Sequence, residues 1–190
     1  VSASATEGTN TLKADDVTFT IKSNKATSIA EFLAIAPNHQ DIDFVFDCNL
    51  IVTYAKTDSK NLYVRDAAGA PLLIFMSKTA GEQYPYGVPV NGDYLRPGVT
   101  GKYQLYSNTI QELIPKTLTD AIAGNNDTRA AAEPKVIKIG DAAANMSQYV
   151  QIQHVTFTSD TEIKCEGSTL TVYGTAPDDK TAQYTVTGVI

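Results

Sequence analysis

Histidine and cysteine are scarce in this sequence, two of each among 190 residues, and positive charge is in deficit, with a net charge of -6. Each shortage removes a class of chemistry. His39 and His154 stand far apart with no further ligands at zinc-finger spacing, so a structural or catalytic zinc site is not expected. Neither histidine has the sequence surroundings of a base held against a Ser or Cys nucleophile. Cys48 and Cys165 form no C-x-x-C pair, and two buried thiols are favoured over a disulfide between them. The basic deficit is general. Residues 28–116 carry seven Lys/Arg against nine Asp/Glu, and residues 135–190 carry four against six, so neither part offers a stripe for tracking phosphates. No apolar run is long enough to cross a membrane, and no signal peptide is visible. Residues 1–10 are small and polar, as in a mature exported protein or a trimmed chain. The expectation is an extracytoplasmic protein, at the cell surface or in the periplasm, either secreted or a lipoprotein.

What the chain has in abundance is strand grammar, and it has it twice. Val52-Thr53-Tyr54, Leu62-Tyr63-Val64 and Val99-Thr100-Gly101 recur in order as Val155-Thr156-Phe157, Leu170-Thr171-Val172 and Val186-Thr187-Gly188. Ordered repetition points to one unit used twice. In the first copy, Ser28 and Glu31 have capping-box spacing and open a short helix ended by Pro37. Ile42, Phe44, Phe46, Cys48, Leu50, Val52 and Tyr54 then alternate with Asp43, Val45, Asp47, Asn49, Ile51 and Thr53. That period predicts one long strand, buried on one side, wet on the other, and bent to serve two sides of a small sheet. Residues 61–66 and 71–76 form a hairpin about Gly69, 77–97 read as a long loop insertion, and 99–106 with 109–114 form a closing hairpin about Ser107-Asn108.

Residues 116–134 lose the alternation and read as a linker. The pattern restarts at 136–139. Val150 and Ile152 differ in parity from Val155 and Phe157, which predicts a β-bulge at Gln153-His154. Glu166-Gly167 predicts a tight turn, and 181–190 a final strand. Only Val189 and Ile190 follow Gly188, whereas the first copy continues through a further strand. The second copy is therefore expected to lack its last strand and to leave a sheet edge open, as in a fragment.

Five strands per copy in this order suit a small Greek-key barrel, with a single β-sandwich as the rival. The fold class expected is all-β: two tandem OB-fold-like barrels, the second lacking its last strand, with short helical segments. The corresponding organisation is a flexible segment with one short strand at 17–21 (residues 1–27), a first barrel (28–115), a linker (116–134) and a second, incomplete barrel (135–190). The runs Asn61-Leu62-Tyr63-Val64-Arg65-Asp66, Gly98-Val99-Thr100-Gly101-Lys102-Tyr103, Gln111-Glu112-Leu113-Ile114-Pro115 and Tyr184-Thr185-Val186-Thr187-Gly188 resemble tandem OB-fold modules of exported Bacteroidetes cell-envelope proteins, mostly uncharacterised. That resemblance implies a non-catalytic envelope module. It supplies no catalytic residues.

Candidate contacts follow from how such barrels bind. Tyr63 and Arg65 should point outward on strand two, able to stack a ring and pair an anion. Tyr84, Tyr86, Tyr94 and Arg96 of the insertion could hold a sugar or peptide. Their alternative role is to fasten the loop to the barrel. Asp41, Asp43 and Asp47 with His39 have the ligand types for calcium, but they lack EF-hand spacing and suit a solvated face. No metal, cofactor or catalytic residue is expected. The function expected is a binding or interaction module for an oligosaccharide or a protein partner. The alternative is single-stranded nucleic-acid binding through Tyr63, Arg65 and Lys102 on the first barrel, against the charge balance.

Overall fold

The computed structural model describes residues 4–7, 10–13 and 24–190; the strand expected at 17–21 lies outside these. The chain is mostly β, with 40% strand and 16% helix. Strands β1 (Ser4–Glu7) and β2 (Asn10–Lys13) pair as an antiparallel hairpin. The next strands are β3 (Lys25–Ala26), β4 (Phe44–Phe46), β5 (Leu50–Ala55), β6 (Asn61–Arg65), β7 (Pro71–Phe75), β8 (Tyr94–Leu95), β9 (Thr100–Tyr106), β10 (Ile110–Thr117) and β11 (Ala121–Ile122). They form one curled nine-stranded sheet in the order β11-β8-β5-β6-β7-β10-β9-β4-β3. β7 and β10 are parallel, as are β3 and β4, and the other neighbours are antiparallel.

The curl comes from the long first strand. β4 and β5 are successive pieces of it, interrupted at residues 47–49. β4 pairs with β9 and β5 with β6, so one stretch of chain flanks both ends of β6-β7-β10-β9. The bend expected from its length is present. Phe44, Phe46, Leu50 and Val52 are buried as expected, but so are Ile51 and Thr53 from the face expected to be wet. The register shifts between Val52 and Tyr54, and Tyr54 turns outward at 39% exposed. Ile51 lies beside Asp127, Thr128 and Ala131 of the 116–134 segment, and Thr53, at the register shift, donates its hydroxyl to the Tyr63 carbonyl.

Helix α1 (Ile29–Ile35) closes the barrel-like sheet. Ser28 caps it, accepting from the Glu31 N–H, while the Glu31 carboxylate reaches one residue further back to the Thr27 N–H and hydroxyl. Those bonds hold the Glu31 carboxyl below its ordinary range. Phe32 enters the core and meets Phe44, Phe46 and Tyr103 at centroid distances of 5.4, 5.0 and 6.0 Å, within the range where aromatic pairs stabilise. Asp66, also buried, ties the helix to the β6–β7 turn: its carboxylate accepts from the N–H groups of Ile29, Ala68 and Ala70.

The insertion carries more structure than a loop. Helix α2 (Ala80–Gln83) has a full capping box from Thr79 and Glu82, and β8 joins the sheet. The segment at 116–134 is fastened as well. β10 runs on through Pro115 to Thr117, β11 pairs with β8, and Asn125 caps helix α3 (Asn126–Ala131).

The remaining strands form a smaller sheet: β12 (Lys135–Val136), β13 (Tyr149–Ser159), β14 (Glu162–Cys165), β15 (Ser168–Thr171) and β16 (Tyr184–Val189). Its order is β12-β13-β14-β15, with β16 on β13. A 3-10 helix at Ile139–Asn145 packs Ile139 against Ile152, Val155 and Ile163. The bulge expected at Gln153-His154 is there, as a register shift between Ile152 and Val155 with His154 at φ 58°. The Glu166-Gly167 turn has both residues at positive φ. One part of the repeat does not superpose on the pairing. Leu62-Tyr63-Val64 lies in β6, directly against β5, whereas Leu170-Thr171 lies in β15, which pairs with β14 and not with β13. The position next to the long strand belongs instead to β14, whose Ile163 is buried. Leu-x-Val is common to many strands, so its recurrence tracked strand character rather than place.

Candidate functional site

The register across the first sheet sets Tyr54 opposite Tyr63, Tyr63 opposite Leu73, and Leu73 opposite Glu112. These four share the face opposite Leu62 and Leu113, which sit in the core. The row is covered, not open. Leu73 and Glu112 are buried, and Tyr63 is half-buried beside Tyr54 at 6.2 Å. Tyr149, at the start of β13, stacks on Tyr54 at 6.2 Å and 24°. Gln148 donates to the Gly69 carbonyl at 3.5 Å, so the β6–β7 turn also meets the segment that enters β13. A cleft of about 400 Å³ opens along this seam, between Tyr54 and Tyr149 on one side and the 88–91 segment on the other. Thr53 and Thr57 also line it.

The residues expected at a binding site disperse. Tyr63 projects outward, but its hydroxyl accepts from the Asn61 Nδ2, and burial pushes that hydroxyl above its ordinary range. Arg65 is 9% exposed and is not a surface anion contact. Its Nη1 donates to the carbonyls of Ala131 and Glu133, clasping the end of α3, and burial lowers its pKa. The physical reason is that 116–134 folds back over β6 instead of standing away as a linker. Tyr84 packs against the main core with its hydroxyl buried, and that burial pushes its pKa up to about 12. It fastens the insertion, as the alternative role had it. Tyr94 is half-buried in β8. Arg96 is exposed, and its carbonyl accepts from the Thr119 hydroxyl. Lys102 is exposed on β9, three strands from β6 in the sheet order. Tyr86 is fully exposed, at the turn that leads into the cleft wall.

Two other clefts bear on chemistry. One of about 530 Å³ lies where Ser28, Cys48, Asp66 and α3 meet. Burial first, then the carboxylates of Asp66, Asp47 and Glu31, push the Cys48 thiol up to about 11, which keeps it a poor nucleophile at neutral pH. The larger, about 870 Å³, lies at the smaller sheet between β12, the 3-10 helix, the His154 bulge and the Cys165-Glu166 turn. Two of its charged groups are engaged with neighbours: Lys135 Nζ donates to Asn145 at 3.0 Å, and Lys138 lies 3.8 Å from Glu166. Both cysteines are free. Among the described residues, no three His, Cys, Asp or Glu side chains cluster to hold a metal ion, and no helix is long and apolar enough to cross a membrane. Asp43 pairs with Lys116 and Asp47 with Lys25.

Glu112 is the one acidic side chain buried in the aromatic row, and burial raises its pKa. A carboxyl whose folded pKa exceeds its unfolded value makes the fold lose stability as pH rises between the two. Glu112→Gln is therefore expected to stabilise the fold by about 1 kcal/mol at neutral pH, and by nothing at a pH below the ordinary carboxylate range. Urea melts of both forms across that range measure it; an unchanged difference at all pH values would contradict the assignment.

The seam residues Tyr149 and Asn91 were not singled out in the sequence, and Tyr54 was assigned to the buried face. Periodicity places a residue on a face but does not say which faces meet. The pairing of Tyr54 with Tyr149 joins residues 95 positions apart, and only the tertiary fold brings them together. Compared with known proteins, the chain matches no protein-family model and no curated protein.

Proposed function

We propose that this chain is a non-catalytic, extracytoplasmic binding module made of two tandem OB-fold-like barrels. The barrel reading is supported by the sheet order. The long bent strand, β6, β7, β10 and β9 run 1-2-3-5-4-1, with strands three and five parallel, the Greek-key arrangement of a five-stranded barrel. The tandem reading is supported by register: Gly188 faces Val150 as Gly101 faces Phe44, and β12 adds parallel to β13 as β3 adds to β4. Export stays an inference from the resemblance to envelope proteins.

The ligand is an oligosaccharide or a protein segment, received at the cleft between the units. The carrying observation is the stacked Tyr54–Tyr149 pair at the rim of that cleft, with Tyr86 exposed on the same insertion. Aromatic faces beside hydroxyl and amide groups suit sugar rings and extended peptides. The nucleic-acid reading depended on Tyr63, Arg65 and Lys102. Burial of Arg65 and coverage of Tyr63 leave it with Lys102.

Glycan arrays and pull-downs with the intact chain identify the ligand class. Tyr54→Ala is then expected to weaken binding about tenfold or more, and Tyr86→Ala by a smaller factor. Ligand binding that survives the double replacement, in a protein with unchanged urea unfolding, would refute the seam as the site. Oligonucleotide binding that weakens with salt would instead favour the nucleic-acid reading.

A further inference from the structure

One dipeptide of the insertion stands where three parts of the nine-stranded sheet and its covering segment cross. Asn91 and Gly92 follow the exposed Val90 and lead through Asp93 into β8. Asn91 Nδ2 donates to the Thr53 carbonyl on β5 and to the Ala132 carbonyl just after α3, both at 2.9 Å. Gly92 donates its N–H to the Val52 carbonyl at 2.9 Å. The packing around the pair is close. A Cβ on Gly92 would lie 2.6 Å from the Arg129 Cγ, and one on Gly124 would lie 2.0 Å from the Gly92 carbonyl oxygen.

This is the sole Asn-Gly step in the sequence, and Asn-Gly is where an asparagine side chain converts most readily. Glycine has no Cβ to shield its nitrogen. Gly92 N attacks the Asn91 Cγ; the N–Cγ bond forms, the Cγ–Nδ2 bond breaks, and ammonia leaves with the proton that Gly92 N gives up. Water then opens the cyclic imide. Opening at Cγ gives aspartate at 91, and opening at the main-chain carbonyl gives isoaspartate, with the backbone routed through Cγ. The fold blocks the first step twice over. The nitrogen keeps its proton in the bond to Val52, and the side-chain amide is pinned by two carbonyls. Attack requires all three bonds to open, which lifts this part of the insertion off β5.

The change is not undone when the segment closes again. Aspartate has no donor for the Thr53 and Ala132 carbonyls and turns a negative oxygen toward them. Isoaspartate lengthens the main chain beside Gly92, where Arg129 and Gly124 leave no room. What depends on this clasp is α3. None of its side chains is buried. It is held instead by Asn91, by Asp93 accepting from the Gly124 N–H, and by Arg65 Nη1 on the carbonyls of Ala131 and Glu133. Arg65 gains little from its cover: Nε and Nη2 are buried with no hydrogen-bond partner, and opening gives them water.

We propose that Asn91-Gly92 is a conformation-gated modification site that controls the cover over Arg65. While Gly92 stays bonded to β5 the pair does not react. Each opening exposes it to conversion by the two steps above, with water as the only co-reactant. A converted chain does not reseat residues 124–132, so the outward face of β6 at Arg65 stays uncovered. This device is independent of whether the seam cleft binds a ligand.

The intact chain is kept in mildly alkaline buffer, folded or in urea, and mapped by mass spectrometry with aspartate and isoaspartate resolved at position 91. Conversion is expected to be about a hundredfold or more slower in the folded chain. Gly124→Ala, which presses on the Gly92 carbonyl, is expected to speed folded-state conversion about tenfold or more. Asn91→Asp, made directly, stands for the product. Amide exchange in 126–132 is expected to quicken about tenfold or more in it, with exchange in β9 and β10 unchanged, and Arg65 to become reactive toward an arginine-selective dicarbonyl. Equal conversion rates in folded and urea-unfolded chain would overturn the gate. Unchanged exchange and an unreactive Arg65 in Asn91→Asp would overturn the control over the cover. If Asn91→Asp does not fold, Asn91→Ala removes the same two donors without the charge, and unchanged exchange in 126–132 overturns the proposal there too.

Discussion

Replacing Asp66 with alanine is expected to cost about 3–5 kcal/mol of stability, the largest effect of any single side chain outside the aromatic core. Its carboxylate accepts three backbone N–H groups at 2.8, 3.0 and 3.0 Å, from Ile29, Ala68 and Ala70. Alanine removes all three acceptors, and the buried Ile29 N–H then bears its desolvation cost uncompensated while the turn that holds Ala68 and Ala70 loses its anchor. A hydrogen bond to a charged group contributes about 1.5–3 kcal/mol, and the three are not additive, which sets the range. Against a total stability of about 5–15 kcal/mol, that loss approaches the threshold of folding. Asp66→Asn keeps one acceptor oxygen and is expected to fall between the two. Urea unfolding followed by circular dichroism measures both; a midpoint within experimental error of the parent for Asp66→Ala would show that the turn and helix are held by packing alone.

Gly101→Ala is expected to cost about 3 kcal/mol, and Gly188→Ala close to nothing. The two positions share a local sequence and a register, so intrinsic propensity cannot separate them. If anything, alanine is less costly than glycine in a strand interior. What separates them is β10. At Gly101 the added methyl meets backbone atoms of Ile114 and Pro115, which cannot swing aside as the end of a flexible side chain can. Relief requires β9 and β10 to part, next to Leu113 and Tyr103 in the core. At Gly188 the methyl enters open space. Parallel urea melts of the two variants test the contrast directly. Equal destabilisation at both positions would mean that the strain arises within β9 and β16 themselves and not from a neighbouring strand.

Much of the local structure was legible from residue pattern. The Ser28 cap, the Gly69 and Glu166-Gly167 turns, the Ser107-Asn108 hairpin and the His154 bulge all follow from chemistry confined to a few neighbouring residues. That the long first strand bends follows from its length, whereas the position of the break at residues 47–49 does not. By contrast, the candidate site was poorly legible. Arg65 sits where alternation puts it, on the outward face, yet outward proved to mean beneath α3. Tyr84 has the composition of a binding loop and serves as its anchor. In both cases the deciding partner is distant in sequence: Ala131 for Arg65, and the first-unit core for Tyr84.

The sequence by itself determined that the chain is built of short strands, where its helix cap, tight turns and bulge fall, and which residues of the long first strand share a face. Those are properties of nearest neighbours and of period, and a period of two is written in the chain. Tertiary structure decided which outward faces are free. It folded 116–134 back over β6, set Tyr149 on Tyr54, and left Gly188 with empty space where Gly101 has β10. Alternation assigns a side chain to one side of a sheet. Only the packing of a distant segment decides whether that side meets water or protein.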